Sequence, residues 1–196
     1  MSRLAAFPVG ALILGAGAGK RFGGPKASAT LLDGRRFLDA VVQTARDAGL
    51  HPVIVVLTSG VTAPAGATVI INANPESEQI SSVRLGLAQL TNSPVTAAIV
   101  WPVDHPFVRL DSVLAILDGA KRTNARIVIP SHDDRRGHPT FFHRDTWREL
   151  MTVPAGGART VIRGNPERVY EVKVADPGVL RGINTRTDLS DASNSG

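Results

Sequence analysis

The sequence predicts an α/β fold: a mostly parallel, partly mixed β-sheet with helices on both faces, arranged in three α/β/α layers. Two features carry this prediction. Short, continuous apolar runs alternate with longer segments in which apolar residues recur every three or four positions. The runs are typical of buried strands and the longer segments of amphipathic helices, and their alternation indicates βαβ units. With 196 residues, 43% of them hydrophobic, the chain is long enough to bury one core.

The first half of the chain is predicted to contain three strands and two helices. The strands are residues 9–14, 53–57 and 68–71. Between the first two, residues 37–50 place apolar side chains on one helical face, and Gly49 is the expected helix terminator. The second helix is indicated by a shared apolar face, formed by Ile80, Val83, Leu87 and Leu90.

The second half continues this alternation and then becomes more mixed. Residues 97–103 form a predicted central strand that ends at Asp104, and residues 126–129 form another. The helix between them has the apolar stripe Leu110, Val113, Leu114, Leu117 and Ala120. Residues 140–142 and 169–174 are the predicted strands of the C-terminal third. We expect residues 1–190 to form a single domain and the polar residues 191–196 to form a flexible tail.

Composition and charge argue against several classes of protein. Cysteine is absent, which excludes a disulfide framework, a thiolate metal site and a cysteine nucleophile. No run of 18 apolar residues occurs, and residues 1–8 lack the apolar core of a signal peptide, so we expect no membrane association and a cytoplasmic location. The net charge is +5, but aromatic residues make up only 5% of the chain and do not alternate with cations. Nucleic acid is therefore not an expected partner.

A glycine-rich, basic segment follows the first predicted strand. It extends from Leu14 to Lys26 and reads LGAGAGKRFGGPK. Glycines allow backbone N–H groups to approach an anion without a Cβ in the way. Arg21 and Lys26 add positive charge suited to a polyphosphate. The segment therefore indicates a nucleotide site.

Two familiar phosphate-binding loops do not fit this segment. A P-loop requires Gly-Lys followed by Ser or Thr, whereas Lys26 lies between Pro25 and Ala27. The dinucleotide fingerprint requires a helix that begins inside the motif and an acid at the end of the second strand, but residues 57–59 contain no acid. A mobile surface loop would explain the glycines, but not the well-spaced cations among them.

The segment resembles the signature L-x-x-G-x-G-x-R-x-G-x-P-K of nucleotidyltransferases with a Rossmann-like, glycosyltransferase-A type fold. The matching residues are Leu14, Gly17, Gly19, Arg21, Gly23, Pro25 and Lys26. Further segments, in the same order, resemble the molybdenum cofactor cytidylyltransferase and guanylyltransferase branch; they are residues 79–87, 103–108, 137–142, 157–159 and 182–189. The resemblance implies a fold of the nucleotide-diphospho-sugar transferase type and an enzyme that releases pyrophosphate.

For the nucleotide, the resemblance implies a site formed by the loop and by the start of the second helix. The residues that it implicates are Leu14, Gly15, Ala16, Gly17, Gly19, Arg21, Lys26, Ser81 and Ser82. Arg21 and Lys26 would hold the phosphates and count as catalytic, because nucleotidyl transfer relies on positioning and charge neutralisation. Helix capping is the alternative role of the two serines.

Asp104 is the strongest single candidate. It follows a predicted buried strand, at the edge where α/β sheets bind their ligands, and two prolines flank it at positions 102 and 106. The resemblance makes Asp104 a catalytic residue and a ligand of Mg²⁺, with Asn184 as the second ligand where the family commonly has an acid. The alternative for both residues is a helix cap, Asp104 for the next helix and Asn184 for a short helix near residue 188.

The acceptor side is implied by the resemblance alone, which assigns it His138 and Arg159. His105, beside Asp104, is a third candidate, with simple packing as its alternative role. The resulting prediction is a Mg²⁺-dependent enzyme that binds CTP or GTP, with CTP favoured, and a phosphorylated small molecule such as a molybdopterin-type cofactor. A transient protein partner would receive the product. A sugar-1-phosphate nucleotidyltransferase and a non-catalytic nucleotide-binding module are the alternatives.

Overall fold

The computed structural model describes residues 7–74, 79–154 and 156–193. Within these ranges the chain forms eight strands and six α-helices. The strands are β1 (Val9–Gly15), β2 (Val53–Leu57), β3 (Thr68–Ile71), β4 (Ala97–Pro102), β5 (Ile127–His132), β6 (Arg135–Arg136), β7 (Thr140–His143) and β8 (Val169–Lys173). The helices are α1 (Phe37–Asp47), α2 (Gln79–Thr91), α3 (Leu110–Thr123), α4 (Trp147–Thr152), α5 (Gly157–Gly164) and α6 (Arg186–Ser193).

The sheet is parallel on one side and mixed on the other. Its strand order is β3-β2-β1-β4-β7-β5-β6, and β8 also pairs with β5. β1 is parallel to both of its neighbours, so that Leu14 lies opposite Val56 of β2 and Pro102 of β4. β7 is antiparallel to β4 and β5, whereas β8 is parallel to β5. The predicted α/β fold with a partly mixed sheet is confirmed.

Two apolar cores lie on opposite faces of this sheet, because successive residues of a strand point to opposite sides. In β1, Ile13 packs into the core that contains residues of α1 and α3. Its neighbours Leu12 and Leu14 pack into the other core, with residues of α2, α4 and α5. The three predicted layers follow from this division.

Helix α1 ends at Asp47, before the end of its predicted span at residue 50. Gly49 has a φ of +76°. The amides of Gly49 and Leu50 donate to the carbonyls of Arg46 and Ala45, at 2.8 and 3.1 Å. This is the Schellman arrangement of a helix end, and it confirms Gly49 as the terminator.

The C-terminal segment differs from the expectation of a flexible tail from residue 191. Helix α6 continues to Ser193, so residues 191–193 are helical. Residues 194–196 lie outside the described ranges.

β6, α4 and α5 had no counterpart in the prediction, because such short elements hold too few apolar residues to show a period. None of the helices described is long and apolar enough to cross a membrane.

Candidate active site

β1 and β4 end side by side at one edge of the sheet. Along the chain, β2 and β3 are added on one side of β1, and β4 is then placed on its other side. An open α/β sheet forms a crevice at such a reversal of strand order, outside the carboxyl ends of the strands. The glycine-rich loop follows β1 and Asp104 follows β4, so the topology brings these two segments together.

The glycine-rich loop turns back on itself at Gly19. The carbonyl of Gly19 accepts hydrogen bonds from the amides of Phe22, Gly23 and Gly24, at 2.8, 3.0 and 3.2 Å. Gly19 has a φ of +61°, and a Cβ there would lie 1.8 Å from the carbonyl oxygen of Gly24. Phe22 is buried and its ring packs edge-on against Phe37, which anchors the loop to α1. The turn therefore requires glycine at position 19.

The ammonium group of Lys26 joins the two predicted metal ligands. Its Nζ donates to Oδ2 of Asp104 at 2.9 Å and to Oδ1 of Asn184 at 2.8 Å. The side chains of Lys26 and Asp104 are only 17% and 23% exposed. Lys26 begins a 3₁₀ turn, Lys26–Ser28, and Ala27 within this turn is fully buried. Three residues from distant parts of the chain thus converge at the carboxyl edge of the sheet.

The role of Asn184 as a helix cap is not supported. The N-terminus of α6 is closed by Thr185 and Asp188 instead: Oγ1 of Thr185 accepts from the amide of Asp188, and the carboxylate of Asp188 accepts from the amides of Asn184 and Thr185. These bonds hold the pKa of Asp188 below its usual value. The side-chain amide of Asn184 donates to the carbonyl of Gly182 at 3.1 Å. That bond turns the Asn184 oxygen toward Lys26.

Asp104 is not a helix cap either. Helix α3 begins at Leu110, several residues later, and its N-cap residue is Arg109. The carboxylate of Asp176, which is 2% exposed, accepts from the amide of Arg109 at 2.9 Å and from the hydroxyl of Ser112 at 2.7 Å. The start of α3 is therefore satisfied from a distant loop. The amide of Ile183 donates to the carbonyl of Asp104 at 2.8 Å and fixes the Asn184 segment beside it.

The donor set fits a hard divalent cation. A carboxylate oxygen and an amide oxygen both face one positive charge, the Lys26 ammonium, and both are ligand types that Mg²⁺ accepts. In the described part of the chain, no group of three or more His, Cys, Asp or Glu residues could hold a metal. A cation here would take its other ligands from phosphate oxygens and water, as Mg²⁺ commonly does.

A cavity of about 290 Å³ opens beside this cluster. Its wall includes most of the residues that were predicted to bind nucleotide or metal: Leu14, Gly15, Ala16, Gly17, Gly19, Arg21, Lys26, Ser82, Asp104 and Asn184. Lys20 and Gln79 also line it. Arg21 is exposed, so its guanidinium is accessible to a bound anion. Ser81 contacts the cavity only indirectly, through Asn72.

Asn72 lines the candidate site, although the sequence motifs did not reveal it. It follows β3 at the same edge of the sheet, is 6% exposed and lines the cavity. Its side-chain amide donates to the hydroxyls of Ser81 and Ser82, both at 3.0 Å, and its Oδ1 accepts from the amide of Asn74. Asn72 therefore fixes the two serines at the cavity wall. A polar residue directly after a strand was the one available signal.

A second cavity, of about 540 Å³, adjoins the first. Leu14, Gln79 and Pro102 line both cavities. The predicted acceptor residues His138 and Arg159 line the second cavity, together with Arg136 and Arg163. Arg136 also forms an ion pair with Glu171, at 2.5 Å. The second cavity is thus lined by several cations, and it meets the first beside the glycine-rich loop.

His105 is not brought to either cavity. It is 9% exposed, and its ring packs edge-on against that of His138, with 4.8 Å between the ring centroids. A Cβ at Gly182 would lie 3.1 Å from its Nε2, so the histidine fills the space behind the Asn184 segment. Burial lowers the pKa of His105. Burial, and to a smaller extent the charge of the neighbouring His105, lowers the pKa of His138 to about 4. His105 thus packs between His138 and the Asn184 segment, and a role in acceptor binding stays a prediction.

Comparison with known proteins agrees with this geometry. The profile of the MobA-like NTP transferase domain matches residues 11–171, which is most of the chain. No curated protein sequence is significantly similar. Among solved structures, Rv0371c from Mycobacterium tuberculosis H37Rv has a TM-score of 0.81 at 23% identity, over 97% of this chain and 100% of that one. A complex of Rv0371c with manganese gives a TM-score of 0.74 at 23% identity, over 96% and 100% of the two chains.

Two further structures extend the likeness. The nucleotidyl transferase Mth528 from Methanothermobacter thermautotroptrophicus has a TM-score of 0.78 at 18% identity, over 97% of this chain and 98% of that one. The 2-C-methyl-D-erythritol 4-phosphate cytidylyltransferase from Thermus thermophilus has a TM-score of 0.68 at 18% identity, over 96% and 98%. These structures share the fold, and the domain profile decides the family. The chain therefore belongs to the family of MobA-like NTP transferase domains and is a nucleotidyltransferase.

Proposed function

We propose that the chain transfers a nucleoside monophosphate from an NTP to a phosphorylated small molecule. An oxygen of the acceptor phosphate attacks the α-phosphorus, the bond from that phosphorus to the bridging oxygen breaks, and pyrophosphate leaves. The observation that carries the proposal is the meeting of two cavities at Leu14, Gln79 and Pro102. An NTP in the first cavity would face an acceptor in the second across these residues.

The residues of the first cavity supply charge and position. Arg21 is accessible for a forked contact with the terminal phosphates, and Lys26 provides a point charge deeper in the site. Asp104 and Asn184 would hold Mg²⁺, which when bound supplies positive charge against the reacting phosphates. Rigid placement of such groups is the main source of rate in nucleotidyl transfer. The loop fixed at Gly19 and the turn at Lys26 provide that rigidity.

The choice of substrates has narrower support. CTP is favoured by the likeness to a cytidylyltransferase and Mg²⁺ by the oxygen ligands, while the manganese complex of Rv0371c supports a divalent cation in this fold. A molybdopterin-type acceptor is favoured by the resemblance of residues 137–142 and 157–159. Arg159 and Arg163 in the second cavity suit an anionic acceptor. A cytoplasmic location and a protein partner for the product stay predictions.

The proposal is tested by pyrophosphate release. The purified chain is incubated with each of CTP, GTP, UTP and ATP, with Mg²⁺ or Mn²⁺, and with molybdopterin or a panel of sugar 1-phosphates. We expect release with CTP and molybdopterin that depends on the divalent cation. Release with a sugar 1-phosphate alone would transfer the proposal to that acceptor class. Nucleotide binding without release for any pair would favour a non-catalytic module.

Asp104→Asn is the matched variant for this assay. It keeps the size and one oxygen of the side chain but removes the negative charge that faces the cation. Loss of one charge-stabilising group typically costs on the order of 100- to 1,000-fold in rate. We expect a loss of that size with an unchanged circular dichroism spectrum. A variant that keeps full activity at limiting Mg²⁺ would remove Asp104 from the site.

A further inference from the structure

We propose that Lys26 holds the place of the divalent cation while the site is empty, and that a bound NTP draws Lys26 away so that the cation can enter. The enzyme would then bind its metal only together with nucleotide. This inference rests on the proposed function, because it takes Asp104 and Asn184 as the metal ligands. It adds a rule for the order of binding that the ligand assignment alone does not contain.

The first argument is the position of the ammonium group. Lys26 contacts both proposed ligand oxygens, at 2.9 and 2.8 Å, and no other side-chain hydrogen bond of Lys26 is seen in the described part of the chain. A single cation that bridges the two oxygens occupies the space in which a metal would bind them. A divalent ion that entered beside it would meet a positive charge at close range in a largely buried place. Lys26 and the metal therefore compete for the same two oxygens.

The second argument is that the backbone of Lys26 is fixed, so only its side chain can move away. The carbonyl of Pro25 accepts from the amide of Ser28 at 3.1 Å, and the carbonyl of Lys26 accepts from the amide of Ala29 at 3.0 Å. Ala27 is fully buried in the core below the loop. The long, flexible lysine stem can swing the ammonium without disturbing this turn. The proposed movement of the Lys26 side chain thus needs no change in the fold.

The third argument is that an NTP replaces what Lys26 loses. The cavity beside Lys26 is lined by the glycine-rich loop, Lys20 and Arg21, so the phosphates would lie within reach of the lysine. Phosphate oxygens are new acceptors for its ammonium and, at the same time, additional ligands for the metal. Nucleotide and metal should then strengthen each other's binding by the same factor.

The test measures Mn²⁺ binding in the absence of turnover. The electron paramagnetic resonance signal of the free ion gives the fraction that is bound. The proteins are the wild type, Lys26→Met, Lys26→Gln and Lys20→Met, each without nucleotide. Lys20→Met removes one positive charge from the same cavity and serves as the control. We expect both Lys26 variants to bind Mn²⁺ at least about tenfold more tightly than the wild type, and Lys20→Met to change affinity much less. Lys26→Gln keeps hydrogen-bond donors, in case loss of all polar contacts disturbs the fold.

A second arm adds the non-hydrolysable analogue α,β-methylene-CTP. It should raise the Mn²⁺ affinity of the wild type strongly and that of Lys26→Met by a clearly smaller factor. Equal Mn²⁺ affinity of wild type and both Lys26 variants would overturn the inference, and so would an equal gain in Lys20→Met. The double variant Lys26→Met/Asp104→Asn separates this failure from that of the proposed function. If Asp104→Asn does not weaken Mn²⁺ binding in that background, the metal-ligand assignment itself fails.

Discussion

Asn184 places a neutral amide oxygen where a carboxylate would bring an additional negative charge. Its oxygen already faces the Lys26 ammonium, and Thr185 rather than Asn184 closes helix α6. Asn184→Asp keeps an oxygen at this position and adds charge, so we expect Mg²⁺ affinity to hold or rise. Asn184→Ala removes the ligand and should lower activity at limiting Mg²⁺ by at least about tenfold, since even groups that only support metal ligands cost that much. Pyrophosphate release against Mg²⁺ concentration measures both effects.

The same titration can also contradict the assignment of Asn184 as a metal ligand. If wild type, Asn184→Asp and Asn184→Ala depend on Mg²⁺ in the same way, Asn184 does not bind the cation. A loss of thermal stability alone in Asn184→Ala would instead indicate a structural role through Gly182, whose carbonyl accepts from the Asn184 side chain. Circular dichroism melts without ligand separate these two results.

His138 should make the protein less stable in acid. Its pKa is lowered from 6.5 to about 4, mainly by burial and secondly by the charge of the neighbouring His105. Between these values the unfolded chain takes up a proton that the folded chain refuses, so stability is fully present above pH 6.5 and is lost as the pH falls toward 4. Two and a half pKa units correspond to about 3 kcal/mol. In urea melts from about pH 7.5 to about pH 4.5, we expect His138→Phe to lose less stability than the wild type.

The control for this experiment is His51→Gln, at an exposed position. It should follow the wild-type pH profile. If His138→Phe also follows the wild-type profile, protonation of His138 does not contribute to acid sensitivity. His105 must be replaced in a second variant, because removing His138 changes the surroundings of its partner ring.

Among the candidate site residues, the sequence pointed to those that belong to a spaced motif or end a buried strand. Asp104, Lys26 and Asn184 are of this kind, and they converge as expected. Asn72 was missed because its importance comes from Ser81 and Ser82, which a strand end and a helix start bring together only in the fold. The position of the His105 ring was not predictable for the same reason, because its place next to Asp104 in the sequence does not show that the ring turns inward.

At the scale of the element, the conformation of the glycine-rich loop depends on Gly19. An alanine there would combine a φ of +61° with a Cβ 1.8 Å from a backbone oxygen, so the loop would have to open. Backbone strain of this kind costs roughly 1–3 kcal/mol. We expect Gly19→Ala to weaken NTP binding about tenfold or more in isothermal titration. In a domain of this size, strain of that magnitude should also lower the unliganded melting temperature by about 2 to 12 °C.

Gly164→Ala is the matched control for the loop variant. A Cβ at Gly164 meets nothing within 4 Å, and the residue ends α5 away from the nucleotide cavity. It should leave NTP affinity unchanged. Equal affinities of Gly19→Ala and the wild type would show that the loop shape seen here does not determine phosphate binding.

Element boundaries were predictable where their signal is local. Gly49 ends α1 through bonds to the preceding turn, and apolar periodicity located α2 and α3. The start of α3 illustrates the limit, because its cap comes from Asp176, 67 residues away from Arg109. Sequence patterns within one helix cannot show such a partner. They also cannot show that α6 continues to Ser193, since its residues are mostly polar.

At the scale of the whole molecule, the sheet places the site at the boundary between two halves. β1, β2 and β3 form the parallel half, which supplies the loop and Asn72. β4 supplies Asp104, and beyond it the mixed half carries the second cavity with His138 and Arg159. A reaction between two substrates suits this arrangement, because both cavities open at the boundary and Leu14, Gln79 and Pro102 line both of them.

Binding at such a boundary should stabilise the whole fold, since the ligand contacts both halves. An NTP at about 100 times its Kd adds roughly 2.7 kcal/mol to the free energy of unfolding. For a domain of this size, that corresponds to an increase of about 5 to 11 °C in melting temperature. We expect CTP with Mg²⁺ to produce such a shift in differential scanning fluorimetry, and CTP without metal, NAD⁺ and NADP⁺ to produce much smaller ones. In Asp104→Asn the shift with CTP should lose its dependence on Mg²⁺. Dinucleotide shifts as large as those of CTP would contradict the proposed nucleotide site, because the two phosphates of a dinucleotide do not provide the triphosphate that we propose the loop, Arg21 and Lys26 hold.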